Sequence, residues 1–152
     1  LTIRRKFVVN EYFDRTLVAD FPQLYASRNV RAPLVPLAFG FECDDGWERL
    51  IRELSYTLEF LNDTVPVWVK AVQVKEKFGT LRFYVDIAGD KPWRDLIYDL
   101  IAYAEARSSW TCESCGEPGK ARGGSWVRTL CDSCHDELLT RKEVPVAASK
   151  EY

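Results

Sequence analysis

Four cysteines stand in two tight pairs, Cys112 with Cys115 and Cys131 with Cys134; two residues separate the members of each pair, and fifteen separate the pairs. Two intervening residues let one turn present both thiolates to a single ion, so this spacing predicts a tetrahedral zinc site. The segment between the pairs, "GEPGKARGGSWVRTL", is long enough for a hairpin that brings the second pair back to the first. The following "HDELLTRK" predicts a short helix whose N-terminal dipole favours the thiolate charge beside it. Together they describe a four-cysteine module of treble-clef or zinc-ribbon type over residues 110–142. Four thiolates leave no open position for water, so one structural zinc ion is expected, contributing on the order of 10–16 kcal/mol to ordering the module. His135 is either a substitute ligand or a surface residue at a helix start.

Two disulfides are the alternative for these cysteines, but five cysteines leave one over, and the opening "LTIRRKFVVN" does not have the pattern of a secretory signal. The odd one, Cys43, sits among Glu42, Asp44 and Asp45, which disfavour a thiolate, so a buried structural thiol is expected. Those three acids are also the raw material for a hard cation such as magnesium. A single histidine excludes Ser-His-Asp triads and two-histidine metal motifs. Walker-type loops and dinucleotide fingerprints are absent from the sequence as well.

A second candidate lies in the middle of the chain. "VPVWVKAVQV" and "LRFYVDI" are rich in β-branched and aromatic residues, and the "KEKFGT" between them holds Gly79 for a tight reversal, which predicts a β-hairpin. Leu81, Phe83, Val85 and Ile87 alternate with Arg82, Tyr84 and Asp86, so one face is expected to be buried. The phase of Val67, Val69 and Ala71 is broken at Val72 and Val74, predicting a bulge. Trp68, Lys70, Arg82 and Tyr84 then point outward together, with Lys75, Glu76 and Lys77 around the turn. Aromatics interleaved with cations can stack bases while neutralising phosphates. The competing reading is that a second layer covers this face. Arg122, Trp126 and Arg128 on the zinc hairpin are further candidates, although residues 110–142 balance five basic against five acidic side chains.

These groups must be positioned by the remaining elements. The chain has 152 residues, 47% apolar and 29% charged, enough for one globular core. A short strand in "TIRRKFVV", a helix broken at Pro22 and an extended connector up to Gly40 are expected to form an N-terminal extension over residues 1–40. A helix over 46–62 is predicted from Trp47, Leu50, Ile51, Leu54, Leu58 and Leu61, with Asp45 and Glu48 as a capping box. A second, over 91–107, follows from Asp90, Pro92 and the stripe Trp93, Leu96, Ile97, Leu100, Ile101 and Ala104. The expected class is α+β: two helices on a small antiparallel hairpin sheet over residues 1–109, the four-cysteine module packed on it, and a flexible tail over 143–152. Charge is uneven. Residues 41–63 carry seven acidic and two basic side chains, while residues 66–86 carry four basic and two acidic ones; solvation on the outer face of a helix is the expected fate of the acidic block.

The segments "FECDDGWERLI", "VQVKEKFGTLRFYV", "TCESCGEPGKAR" and "WVRTLCDSC" make the chain resemble a group of small phage, prophage and bacterial proteins. The resemblance covers roughly residues 17–135, and "GDGW" is usual in the group where this chain has Asp44, Asp45, Gly46 and Trp47. It implies the layout and a mobile-element setting, directs attention to residues 75–79 and Arg82, and brings no activity with it. The expected function is a zinc-stabilised binding protein acting on a protein partner in the cytoplasm, with no membrane. The first alternative is a nucleic-acid-binding accessory protein using the hairpin face and the zinc module, and the second is a metal-dependent nuclease built on acids such as Asp44 and Asp45 with Glu76 or a lysine around magnesium.

Overall fold

A computed structural model describes residues 9–29, 35–124 and 126–143. The strand expected of "TIRRKFVV", of which only Val9 is described, and the tail beyond Glu143 lie outside those residues. Within them the chain is α+β, with four α-helices and two separate antiparallel hairpins.

Helix α1 (Glu11–Asp20) starts where Asn10 accepts the Phe13 N–H at 2.9 Å, and it buries Phe13 and Leu17 one turn apart. It stops before Pro22, and 3-10 turns at Ala26–Asn29 and Pro36–Phe39 follow. This segment is no appendage. Phe13, Leu17, Phe21, Leu24, Tyr25 and Leu37 are all core residues, and the Tyr25 ring meets Phe41 edge-on at 5.1 Å while its hydroxyl shares a hydrogen bond with buried Ser55. Helix α2 (Glu48–Thr64) buries Leu50, Ile51, Leu54, Leu58 and Leu61, the periodicity read from the sequence. Its start differs from the expected capping box. A 3-10 turn at Asp45–Trp47 precedes it, and neither Asp44 nor Asp45 caps it with a side chain. Asp45 instead accepts the Asn10 N–H at 2.7 Å, tying the start of α1 to the start of α2.

Strands β1 (Val67–Lys77) and β2 (Thr80–Gly89) form the main hairpin. The register shifts between Ala71 and Gln73, so Val72 is the bulged residue. Lys77 pairs with Thr80 across a two-residue turn in which both Phe78 (φ 54°) and Gly79 (φ 76°) have positive φ. That is the handedness a tight hairpin needs, and it costs a bulky residue such as Phe78 about 1 kcal/mol. Helix α3 (Lys91–Ser108) returns along β2 and buries Ile97, Ile101 and Ala104; Leu96, expected in its apolar stripe, is exposed, and Asp90 makes no side-chain cap.

Both sheet edges are capped by side chains and loops. On β1, Asn62 brackets Val69, donating to its carbonyl at 2.9 Å and accepting its N–H at 2.7 Å. Ala71 donates to Leu24, and Glu42 bridges Val74 and Glu76. On β2, Leu81 donates to Ser108 and Phe83 to Glu105. An unpaired strand edge invites foreign pairing, and these bonds close the outer edge of β1 from Val69 to Glu76 and that of β2 at Leu81 and Phe83. Replacing Asn62 with alanine leaves two half-buried backbone groups without partners, so a loss of about 1–3 kcal/mol is expected. Urea unfolding tests this: a midpoint equal to wild type would show that Asn62 does not hold the edge.

Candidate metal centre and hairpin face

The four-cysteine module consists of a turn carrying Cys112 and Cys115, the hairpin β3 (Lys120–Arg122) and β4 (Arg128–Leu130), and helix α4 (Asp132–Glu143). The turn closes through Gly116, at φ 84°, whose N–H donates to Cys112 at 2.8 Å, while the Cys112 N–H donates to Glu117. The second pair is set by the helix start: Cys131 immediately precedes α4, and its sulfur accepts the Cys134 N–H. All five cysteines are free thiols, so the disulfide alternative is not realised. The Sγ atoms of Cys112, Cys115, Cys131 and Cys134 lie within 4.8 Å of one another and form the one group among the described residues able to hold a metal ion. Cys115 and Cys131 are 3.7 Å apart. Thiolates at about 2.3 Å from a tetrahedral ion lie about 3.8 Å apart, so the donor set fits such an ion.

The electrostatics fit as well. Hydrogen bonds from Ser133 and the Cys134 N–H lower the Cys131 thiol to about 6, whereas burial raises Cys115 and Cys134. A bound cation reverses that penalty, since a coordinating thiol is deprotonated outright. His135 lies outside the sulfur group and its ring approaches Asp136, so it is not a ligand here.

The module docks on the α+β body through Gly46. A Cβ at Gly46 would stand 2.3 Å from the Cys112 carbonyl oxygen and 2.6 Å from the Cys115 nitrogen, both backbone atoms. The Gly46 N–H donates to Glu113 at 2.8 Å, and the buried Trp47 donates its indole N–H to Thr111 at 2.9 Å. Arg128, with a side chain only 13% exposed, bonds both Asp44 and Glu113. Burial pushes Glu113 up to about 7 against the pull of Arg128, with Asp44 and Glu76 adding repulsion, and its Oε2 is buried without a partner among the described residues. A second seat lies at the hairpin turn, where Thr129 donates to the Gly79 carbonyl at 2.6 Å.

Several expected roles change. Arg128 belongs to this interface, and Arg122 is held by Asp132 and the Leu130 carbonyl, so both guanidiniums are engaged within the protein. The acids considered for magnesium do not converge: Asp44 meets Arg128, Asp45 meets Asn10 and Glu76 accepts the Gly79 N–H at 2.6 Å. Cys43 is fully buried, and burial followed by repulsion from Asp44 drives its thiol far up. A cleft of about 740 Å³ lies beside Phe21 and Tyr56, but its Arg49 and Arg52 are paired with Glu53, Asp20 and Glu48.

The outward side of the main hairpin carries the other candidates. Trp68 and Tyr84 are each 42% exposed. Lys70 lies 5.1 Å over the Trp68 ring, and Lys75 lies 5.7 Å over the Tyr84 ring. The bulge makes this possible: Trp68 and Lys70 precede Val72, and the inserted residue reverses the alternation so that Lys75 and Lys77 fall on the same side. Gln73, opposite Tyr84, joins them and had not been expected there. Glu76 leaves the group, since it pairs with buried Leu81 and turns to the Gly79 amide. Arg82 is half-buried and braced by Thr80 and the Leu81 carbonyl.

Gly46→Ala places a methyl group against backbone on both sides, so a loss of about 2–4 kcal/mol is expected, with weaker metal retention. Stability and metal content equal to wild type would show that the seat at Gly46 is not tight. No family model, curated protein or solved structure matches the chain, and the meaning of the two sites rests on their own geometry.

Proposed function

We propose that this chain is a small zinc-stabilised binding protein of phage or prophage type, acting in the cytoplasm without catalysis, and that its ligand is single-stranded nucleic acid held on the outward face of the hairpin. The observation that carries the reading is the pair of lysine-over-aromatic couples, Lys70 on Trp68 and Lys75 on Tyr84. With Lys77 and Arg82 the face has four cations against two acids, Asp86 and, at its edge, Glu42, whose carboxylate accepts from Gln73. The sequence alone favours a protein partner. A protein-binding centre, however, is depleted in charge and built around buried anchors, whereas stacking platforms set among backbone-neutralising cations suit single strands. No described helix is long and apolar enough to cross a membrane.

Zinc is the ion of choice for four thiolates in a closed tetrahedron. The knuckle, short hairpin and cysteine-bearing helix support a treble-clef-like module, and Cys112, Cys115, Cys131 and Cys134 are its ligands. Bound there, zinc supplies charge neutralisation and a cross-link, and the thiolates leave no site for substrate. One zinc per chain is expected by elemental analysis of protein purified without added metal, falling to none in a Cys131→Ser, Cys134→Ser variant. A full equivalent in that variant would place the metal elsewhere.

Binding is tested by anisotropy titration of zinc-loaded protein with oligo-dT and with duplex DNA at two salt concentrations. Single strands are expected to bind more tightly. Trp68→Ala should weaken them about 5- to 100-fold, and Lys75→Ala with Lys77→Ala should flatten the salt dependence by about 0.7 per lost phosphate contact. No binding at micromolar protein in low salt would overturn the reading in favour of a protein partner.

A further inference from the structure

The turn of the main hairpin carries a feature that stability does not explain. Phe78 is the one non-glycine residue with positive φ among the described residues, and it is 74% exposed. Asparagine or glycine is the usual occupant of such a turn, and a bulky residue there is an outlier. The exposed ring adds little to the core, so strain and exposure coincide at a single position, as they do at recognition sites. Lys77 lies 5.5 Å over this ring, repeating the couple formed at Trp68 and at Tyr84.

The tip is also firmly seated. A Cβ at Gly79 would meet Val127 Cγ1 at 3.2 Å and the Arg128 backbone at 3.3 Å, and Thr129 bonds the Gly79 carbonyl. Trp126, 59% exposed, directly precedes Val127, just as Phe78 directly precedes Gly79. Two exposed aromatic residues from two different hairpins are therefore each one position in the chain from the same close contact. We propose that Phe78 and Trp126 form a further base-stacking contact for the same nucleic-acid strand, so that the four-cysteine module is part of the ligand surface as well as a closure of the fold. This inference rests on the nucleic-acid reading of the hairpin face and extends it.

Dimensions give the length of the ligand. From Trp68 to Phe78 the strand advances ten positions, one of them the bulge, or about 30 Å at about 3.3 Å per residue. A strand with stacked bases at a rise of about 3.4 Å spans this with about nine nucleotides. Affinity should therefore climb with oligonucleotide length to about nine and then level off.

The experiment is a length series of oligo-dT from 4 to 15 nucleotides, roughly the range of known single-strand sites, bound to the full zinc-loaded chain and to its Phe78→Asn, Trp126→Ala and Trp68→Ala variants. Phe78→Asn relieves the strained turn, so it is expected to raise Tm by about 2–4 °C while weakening the 12-mer about fivefold or more. Trp126→Ala should weaken the 12-mer similarly without lowering Tm. If the 12-mer binds wild type, weakens with Trp68→Ala and ignores both other variants, this inference is overturned while the hairpin reading stands. A plateau already reached at four nucleotides would overturn it too. If no oligonucleotide binds wild type, the hairpin reading itself falls, and this extension with it.

Discussion

A missing side chain at Gly46 is the constraint through which the two halves of this protein communicate. Backbone atoms of Cys112 and Cys115 occupy the space that a Cβ would need, so the first cysteine turn and the entry to α2 can approach only at this residue. The contact fixes more than position. Once the two backbones touch, the Gly46 N–H finds Glu113, the Trp47 indole finds Thr111, and Asp44 comes within reach of Arg128. Because Thr129 of the same module bonds the hairpin turn, that turn, the helix entry and the first cysteine turn form one closed circuit. Ordering of the sulfur cluster by an ion is thereby coupled to the geometry of the main hairpin.

That circuit contains an electrostatic tension. Glu113 is almost fully buried, so its charge faces desolvation and the neighbouring Asp44 and Glu76. Arginine is the residue suited to this place, because a planar guanidinium can bond two carboxylates at once and is weakly hydrated. Arg128 does so with Asp44 and Glu113. The unpartnered Oε2 of Glu113 is the polar cost that the interface carries, offset by the bonds that the same residue's backbone makes to Gly46 and Thr129.

Much of this architecture is legible in the amino-acid sequence because local chemistry decides it. The periodicity from Leu50 to Leu61, the alternation from Leu81 to Ile87 and the paired cysteines each specify an element through its own residues. The Val72 bulge was visible as a break in phase, yet its consequence, moving Lys75 and Lys77 outward and Glu76 inward, depends on where the register resumes. The capping box at Asp45 and Glu48 failed for a related reason: a 3-10 turn intervenes, and a long-range partner, the Asn10 amide, claims the carboxylate. Residues 9–29 read as an extension because Pro22 and the short turns hide a continuous apolar face, which becomes apparent only when Phe13, Leu17 and Tyr25 meet Phe41 and α2. Phe78 was visible within a recognisable stretch, but a positive φ at phenylalanine has no sequence signature.

An overall negative charge is compatible with an anionic ligand once the acidic block is followed to its partners. Each of the seven acids in residues 41–63 is engaged: Glu42 by Gln73, Asp44 by Arg128, Asp45 by the Asn10 amide, Glu48 by Arg52, Glu53 by Arg49 and Arg107, Glu59 by the amides of Gln23 and Leu24, and Asp63 by Gln23. Glu42, Asp45, Glu53 and Asp63 are also exposed, so the expected solvation holds for much of the block, and Glu59 alone is buried. Four of these partners are arginines, so three of the seven acids, Asp44, Glu48 and Glu53, are ion-paired where they stand. The lysines of the hairpin face, by contrast, lie over aromatic rings, contacts that leave their charge in place. The Debye length at physiological salt is about 8 Å, so exposed charges farther than that from the face through solvent act on it weakly. An approaching phosphate therefore meets first the field of Lys70, Lys75, Lys77 and Arg82, moderated by Asp86 and by Glu42 at the edge of the face.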